Sequence, residues 1–145
     1  MGLPGSGKTT FYQTRFALTH VQVSKDHFPN NRNKTRRQEQ LLAEAFSSGK
    51  SVVLDNTNPA GEDRAGAIRL ARLYGAIVTG YVFPNDIPAA IERNRHRVGK
   101  ARVPDVAIYA AASRWESPSP DEGFGALYAV RLSGAGGFEI WPLEP

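Results

Sequence analysis

The chain has 145 residues, of which 41% are hydrophobic and 22% charged, a composition typical of one globular domain. It contains no cysteine, which excludes disulfides and thiolate metal sites, and no apolar run long enough to cross a bilayer or to resemble a secretory signal. We therefore expect a cytoplasmic protein without a membrane partner. The net charge of +4 permits attraction to polyanions but does not identify one.

The first nine residues, Met1 to Thr9, match a phosphate-binding loop. Gly2, Gly7, Lys8 and Thr9 fill every fixed position of the pattern GxxxxGK[ST]. Glycines let backbone N–H groups turn toward an anion, and a helix that begins near Gly7 adds the positive end of its dipole. We expect ATP and Mg²⁺ here, with Lys8 on the β and γ phosphates and Thr9 on the metal. The predicted nucleotide-binding residues are Gly2, Pro4, Gly5, Ser6, Gly7, Lys8, Thr9 and Thr10, together with Arg93 further along the chain.

A loop of this kind ordinarily follows a buried parallel strand, whereas only Met1 precedes it here. The sequence therefore predicts that the first strand of the sheet is missing from this chain. Without that strand one central ladder of backbone hydrogen bonds has no partner, and apolar surface on its neighbours is exposed. We expect an upstream segment, or another segment or chain, to fill the gap.

Helices and strands alternate along the rest of the chain. Helices are predicted at 9–18, 34–48, from Asn58 as N-cap and Pro59 to Gly75, at 88–97 and at 104–115, and strands at 21–23, 51–55, 76–83 and 128–132. A glycine-rich turn and residues 138–141 follow the last predicted strand. The run at 51–55 is typical of a strand buried on both faces. The alternation predicts an α/β fold with a doubly wound parallel sheet flanked by helices. We find no internal repeat or linker, so residues 1–145 are expected to form a single domain.

Two aspartates follow predicted strands, at the edge where open α/β sheets place their ligands. Asp55 matches a Walker B acid and is the predicted partner of Thr9 in holding Mg²⁺; the alternative is an acid that caps the next turn. Asp26 follows the strand at 21–23 and is predicted to accept a proton from an acceptor hydroxyl, or to orient it. The alternative for Asp26 is a solvated loop acid or a helix cap.

A dense basic stretch follows between residues 93 and 102. Its cations are Arg93, Arg95, His96, Arg97, Lys100 and Arg102. Arg93 and Arg97 are one turn apart and are predicted to share a helix face, as a lid at about 88–104 that places both over the phosphates. The alternative is a solvated helix face. The remaining cations, with Arg32, Lys34, Arg36 and Arg37, are candidates for a path that takes a polyanionic acceptor.

Several motifs together resemble the kinase domain of polynucleotide 5′-hydroxyl kinases, from residue 2 to about residue 132. They are the phosphate loop, Ser24-Lys25-Asp26, Asp55-Asn56-Thr57-Asn58-Pro59, the stretch 93–97 followed by Val103-Pro104, and Glu122-Gly123-Phe124. The resemblance implies a P-loop kinase fold and ATP-dependent phosphorylation of a 5′-hydroxyl end of DNA or RNA. By matched position it implies that Asp26 is the general base, that Asp55 is the acid of the DxN element, and that Arg93 and Arg97 are lid arginines.

Two positions depart from the family. Lys25 stands where arginine often precedes the catalytic acid, and Pro29 stands where some members carry an arginine for the acceptor phosphate. From the motifs and the resemblance together, the predicted catalytic residues are Lys8, Asp26 and Arg97. Two other functions remain open: a small-molecule kinase on the same scaffold, and a nucleotide-binding module with little catalysis.

Overall fold

The computed structural model describes residues 1–144 and confirms the α/β class. The helices are α1 (Lys8–Arg15), α2 (Lys34–Ser47), α3 (Gly61–Leu73), α4 (Ile87–Arg95) and α5 (Asp105–Ser113). The strands are β1 (Val21–Val23), β2 (Val52–Leu54), β3 (Thr79–Val82), β4 (Ala126–Leu132) and β5 (Phe138–Pro142). Short 3₁₀ turns lie at Lys25–His27, Gly99–Ala101 and Pro120–Glu122. Among the described helices, none combines the length and apolar character needed to cross a membrane.

The strands form two separate sheets. β1 pairs with β2 in parallel, and β3 pairs with β4 in parallel. Within residues 1–144 no strand lies between β2 and β3, so the central ladder is interrupted. This interruption is where the sequence predicts a missing strand.

The last strand, β5, was not predicted as a strand, and it departs from the parallel arrangement of the other pairs. β5 pairs antiparallel with β4. The connection is a short turn in which the Ser133 N–H donates to the Gly137 carbonyl at 2.9 Å. A connection of this length permits only a hairpin, because a parallel return needs a crossover of a dozen residues or more.

Most helix boundaries differ from the sequence prediction by one to three residues, and two of the differences have a clear local cause. α1 ends at Arg15, since the backbone of Phe16 (φ −128°, ψ −12°) leaves helical geometry. α3 begins at Gly61 and not at Pro59, because Asp63 accepts a hydrogen bond from the Ala60 N–H and so places the N-cap at Ala60. Asn58 is not a cap: its φ of 45° puts it in the left-handed region, in the turn before the helix.

The core has two apolar clusters. In the first, Phe11 of α1 packs with Phe83 and Val130, and edge-on aromatic contacts with neighbouring rings fix α1 against β3 and β4. In the second, Leu3 of the phosphate loop is fully buried against Ala90 of α4 and Ile108 of α5. The phosphate loop is therefore anchored on one side by the sheet and on the other by α4.

Candidate active site

The phosphate loop adopts a tight conformation that glycine makes possible. Gly5 (φ 81°) and Gly7 (φ 99°) lie in the left-handed region, and Gly7 is the N-cap of α1. A Cβ atom at Gly5 would lie only 2.7 Å from the carbonyl oxygen of Ala90. The loop therefore leads directly into a helix N-terminus while α4 closes against it.

The loop carries a buried polar atom that fits a phosphate ligand. The Ser6 side chain is 3% exposed, and within residues 1–144 its hydroxyl has no hydrogen-bond partner. Buried hydroxyls are nearly always hydrogen-bonded, so this group requires a partner that the described residues do not supply. A phosphate oxygen at the N-terminus of α1 would supply one. The residues present thus fit a nucleotide phosphate.

The Lys8 amine lies inside the same loop. Its Nζ donates to the carbonyls of Gly2 (2.9 Å) and Leu3 (2.8 Å). Burial lowers the pKa of Lys8 to about 8; the charge of Arg97 also lowers it, and the charges of Asp55 and Asp26 oppose the shift. The charges of three other predicted site residues, Asp55, Arg97 and Asp26, therefore act on Lys8.

Asp55 lies at the end of β2 and is held by two donors. It is 8% exposed and accepts hydrogen bonds from Thr9 Oγ1 at 2.9 Å and from Gln22 Nε2 at 2.8 Å. Thr9 and Asp55, the predicted metal ligands, are thus adjacent, and hydroxyl and carboxylate oxygens suit Mg²⁺. Because no group of three or more His, Asp or Glu residues in the described chain could hold a metal, phosphate oxygens and water would complete the coordination. Gln22 is a site residue that the sequence analysis missed.

Asp26 lies on the neighbouring strand end, in the 3₁₀ turn that follows β1. Its N–H is capped by Ser24 Oγ at 3.3 Å, and the residue is exposed, as an acid that meets an acceptor must be. The alternative of a helix-capping acid does not apply, since Ser24 is the cap.

Asn56 connects the two aspartate loops. Its Oδ1 accepts a hydrogen bond from the Lys25 N–H at 2.9 Å, and its Nδ2 donates to Gln38 Oε1 at 2.7 Å. Gln38 is a buried residue of α2, 4% exposed. Since Asn56 directly follows Asp55, and Lys25 directly precedes Asp26, this amide sets the distance between the two acids. Gln38 was not predicted, because no local pattern marks a polar residue that is buried by a contact 18 positions away.

Of the predicted lid cations, Arg93 contacts the phosphate loop, whereas Arg95 and His96 do not. Arg93 Nε donates to the Gly5 carbonyl, whereas Arg95 and His96 bind Glu92 on the exposed face of α4. Arg97 lies beyond the end of α4, so the prediction that Arg93 and Arg97 share a helix face is wrong. The Arg97 guanidinium donates to the Ala101 carbonyl at 3.3 Å, and its charge contributes to the lowered pKa of Lys8.

The other predicted nucleotide ligands differ in exposure. Pro4 is half-buried beneath α4, and Thr10 is exposed in the first turn of α1. Further cations surround the entrance near Asp26: Arg32, Lys34 and Arg36 are exposed, and Lys25 Nζ donates to Thr35 Oγ1 at 3.2 Å. This contact ties the Asp26 turn to the basic start of α2.

The geometry agrees with comparisons to known proteins. A family model described as "AAA domain" matches residues 1–118. The chain belongs to this AAA domain family. The AAA domain so defined includes the phosphate loop, both aspartates and the lid arginines.

Two curated relatives sharpen the comparison. The chain is 26% identical to a bifunctional polynucleotide phosphatase/kinase of Schizosaccharomyces pombe over 127 residues, which are 86% of this chain and 30% of that protein. It is 30% identical to a putative bifunctional polynucleotide phosphatase/kinase of Acanthamoeba polyphaga mimivirus over 141 residues, 90% of this chain and 32% of the relative. The chain thus spans about a third of the length of these relatives. The resemblance to polynucleotide kinases is confirmed, and a P-loop kinase-like domain is established at family level.

The AAA domain also contains a buried cation that the sequence analysis missed. Arg64 of α3 is 3% exposed, and its guanidinium donates to both carboxylate oxygens of Glu122 at 2.7 and 2.8 Å. It also donates to the carbonyls of Asn58, Pro59 and Glu116. Arg64 thereby holds the turn after Asp55 against the 3₁₀ turn of the Glu122-Gly123-Phe124 motif. The carboxylate of this motif was visible in the sequence, but its partner 58 positions away was not.

Proposed function

We propose that this AAA domain transfers the γ-phosphate of ATP to the 5′-hydroxyl end of a DNA or RNA strand. The observation that carries the proposal is the convergence of distant residues on the phosphate loop. Asp55 is hydrogen-bonded to Thr9, Arg93 is hydrogen-bonded to Gly5, and the charges of Asp26 and Arg97 act on Lys8. A donor site, an acid for the acceptor and cations for the moving phosphoryl group are the parts that phosphoryl transfer requires.

In the proposed reaction each residue has one task. Mg²⁺, held by Thr9 and Asp55, would neutralise charge on the phosphates of ATP. Lys8, Arg93 and Arg97 stabilise charge that develops on the transferred group. Asp26 takes the proton of the acceptor hydroxyl as the new P–O bond forms and the bond to the β-phosphate oxygen breaks, which leaves ADP.

The charge distribution around Asp26 supports a polyanionic acceptor. Arg32, Lys34, Arg36 and Arg37 lie at the start of α2, next to the Asp26 turn, and within residues 1–144 none of them forms a salt bridge. Unpaired cations that line an approach attract a phosphate backbone and make its binding sensitive to salt. The names of the two curated relatives support the same class of acceptor.

The test is transfer of labelled γ-phosphate from Mg·ATP to an oligonucleotide with a 5′-hydroxyl, compared with the same oligonucleotide already 5′-phosphorylated. We expect label on the first oligonucleotide only. Asp26→Asn should lower kcat by about 100- to 10,000-fold and leave ATP binding intact. Asp121→Asn is the matched control, because Asp121 is an exposed acid of the Pro120–Glu122 turn, outside the proposed machinery.

Two results would contradict the proposal. One is equal activity of Asp26→Asn and Asp121→Asn. The other is ADP release that sugars, nucleosides or other small hydroxyl compounds saturably stimulate while both oligonucleotides stay inert, which would identify a small-molecule kinase.

A further inference from the structure

A loop formed by residues 96–102 follows α4 and leads toward α5. Its basic residues other than His96 are Arg97, Lys100 and Arg102. Every residue from 95 to 102 is exposed except Arg97, which is half-buried, and the charge of Arg97 acts on Lys8 of the phosphate loop. Since the neighbouring cations face solvent, Arg97 is the one that the loop turns inward. Some contact must therefore hold the loop in this orientation.

The two ends of the loop are joined by the side chain of Asn94, in the last turn of α4. Asn94 is 0% exposed, the lowest value among the buried polar residues of the described chain. Its Nδ2 donates to the Val103 carbonyl at 2.7 Å, and its Oδ1 accepts from the Val103 N–H at 3.1 Å. One amide thus satisfies both backbone groups of a residue nine positions away, as a neighbouring strand would. The same Nδ2 makes a longer bond of 3.4 Å to Asp105 Oδ1.

The base of the loop is packed against the phosphate loop. Val103 contacts the apolar cluster that contains Leu3 of the phosphate loop. Arg93, which directly precedes Asn94, donates from its Nε to the Gly5 carbonyl. The pair of Asn94 and Val103 is therefore connected to the phosphate loop on both sides, and the loop that carries Arg97 begins and ends at this pair.

Two hydrogen bonds lie within the loop and shape it. The Arg97 guanidinium donates to the Ala101 carbonyl at 3.3 Å, and the Arg102 N–H donates to the Gly99 carbonyl at 3.2 Å. Neither bond attaches the loop to the rest of the molecule. Its attachment is the end of α4 on one side and the bonds between Asn94 and Val103 on the other.

We propose that Asn94 is the positioning residue for Arg97: its buried amide closes the loop at its base and so keeps the Arg97 guanidinium turned toward the phosphates of a bound nucleotide. The inference rests on the proposed function, in which Arg97 stabilises charge on the transferred phosphoryl group. The side chain of Asn94 is occupied by Val103 and Asp105 and is not available to a substrate. Its effect on the reaction therefore passes through Arg97, unlike that of a residue that only holds the fold.

The test is a double-mutant cycle of Asn94→Asp and Arg97→Ala, measured by transfer of labelled γ-phosphate to the 5′-hydroxyl oligonucleotide. Asn94→Asp keeps the shape of the side chain and the acceptor for the Val103 N–H, but the Val103 carbonyl loses its donor and Asp105 gains a neighbour of like charge. We expect Arg97→Ala to lower kcat about 100-fold and Asn94→Asp to lower it about tenfold or more. The double variant should stay within about twofold of Arg97→Ala, because the arginine through which Asn94 acts is gone.

Two further readouts report on the loop itself. In Asn94→Asp, trypsin cleavage within 97–102 and hydrogen exchange of the Val103 amide should each be faster by about tenfold or more. The control is Ile68→Ala in the core of α3, which lowers stability but leaves the loop and its base intact. Its loop should be cut at close to the wild-type rate, and its effect on kcat should be the same with and without Arg97. Where Asn94→Asp does not fold, Asn94→Asp combined with Asp105→Asn takes its place, because this pair removes the repulsion and still leaves the Val103 carbonyl without its donor.

The inference is overturned if Asn94→Asp costs as much activity in the Arg97→Ala background as in the wild-type chain, since Asn94 then only holds the fold. Unchanged trypsin cleavage and Val103 exchange in Asn94→Asp overturn it too, as does an Arg97→Ala variant as active as the wild-type chain. If the wild-type chain labels no oligonucleotide, the proposed kinase function fails, and the same cycle is measured as affinity for Mg·ADP with aluminium fluoride, a mimic of the transferred phosphoryl group. Non-additive losses of that affinity support the positioning role; additive losses, or no binding at all, overturn it.

Discussion

At the scale of single residues, the site depends on amides as much as on charges. Asn56 contacts neither the phosphate loop nor the acceptor path, but it joins the Asp26 turn to α2 through Lys25 and Gln38. A misplacement of about 1 Å in a reacting group costs an enzyme on the order of 100-fold in rate. An amide between the two acids is therefore a positioning group with a large effect on catalysis.

We expect Asn56→Ala to lower kcat about tenfold or more while the KM for ATP changes little. The reason is that the substitution frees the Lys25 N–H and lets the Asp26 turn move, but leaves the phosphate loop intact. Steady-state kinetics with the oligonucleotide acceptor measures both constants, and Asn30→Ala in the exposed loop is the control. A parallel rise in the KM for ATP, or an unchanged kcat, would show that Asn56 has no positioning role.

At the scale of elements, Arg64 connects α3, the turn after β2 and the 3₁₀ turn at Pro120–Glu122. A buried guanidinium needs hydrogen-bond partners, and the Glu122 carboxylate with three carbonyls gives each of its three nitrogens at least one. Removing one member of a buried salt bridge lowers the free energy of unfolding far more than removing an exposed salt bridge. Arg114, which pairs with Glu62 and Asp63 at the surface, offers the comparison.

Arg64→Met should lower the free energy of unfolding by about 3–5 kcal/mol, because Glu122 and three carbonyls lose their donor. Arg114→Met should change it much less, since that pair is exposed and solvated. Urea unfolding at neutral pH measures both. Hydrogen bonds from Arg64 lower the pKa of Glu122, so the stabilisation is present above the ordinary glutamate pKa and lost as pH falls below it. The difference in the free energy of unfolding between the wild-type chain and Arg64→Met should therefore shrink on acidification. If Arg64→Met and Arg114→Met lose the same free energy of unfolding at neutral pH, the structural role assigned to Arg64 is wrong.

At the scale of the whole molecule, stability depends on how the two sheets are joined. In the chain as printed, the Met1 amine is half-buried and donates to the Tyr81 carbonyl of β3 at 2.6 Å, and the charges of Lys8, Asp55 and Arg64 act on it. Its pKa is 8.0 in its ordinary state and about 5 in the folded chain. Between these values the unfolded chain binds more protons than the folded chain.

The chain as printed should therefore lose stability as pH falls from 8 to 5. The contribution of the neutral amine is complete above pH 8 and is lost on the way to pH 5. A version of the chain extended by Gly-Ser-Gly-Ser-Gly before Met1 replaces the amine by an amide and should lack this part of the pH dependence. Urea unfolding midpoints of the two proteins from pH 5 to 8 measure the difference, and the intact mass verifies that Met1 is retained. Both proteins carry the same histidines, so the histidine contribution to the pH dependence cancels in the comparison. Superimposable curves would show that the amine is not buried in solution.

The phosphate loop, Asp26 and Asp55 were predictable because each depends on local pattern. Fixed spacing marks the loop, and an acid at the end of an apolar run marks the sheet edge. The ends of the helices were harder to predict than the motifs, since the N-cap of α3 depends on a hydrogen bond to Asp63 and the end of α1 depends on packing. The antiparallel pairing of β5 could not be predicted without the geometry of the turn at Ser133–Gly137. The predicted helical lid was too long at its C-terminal end, because α4 ends at Arg95 and Arg97 lies beyond it.

By itself the sequence determined the fold class and the phosphate-loop motif, because these follow from spacing and order along the chain. Only the tertiary structure showed that Gln22, Gln38, Asn56 and Arg64 surround the candidate site, and that Met1 is hydrogen-bonded to Tyr81 and Gly2 to Thr57. The physical reason is the same in each case. A buried polar group is specified by the partner that satisfies it, and these partners lie in distant parts of the chain.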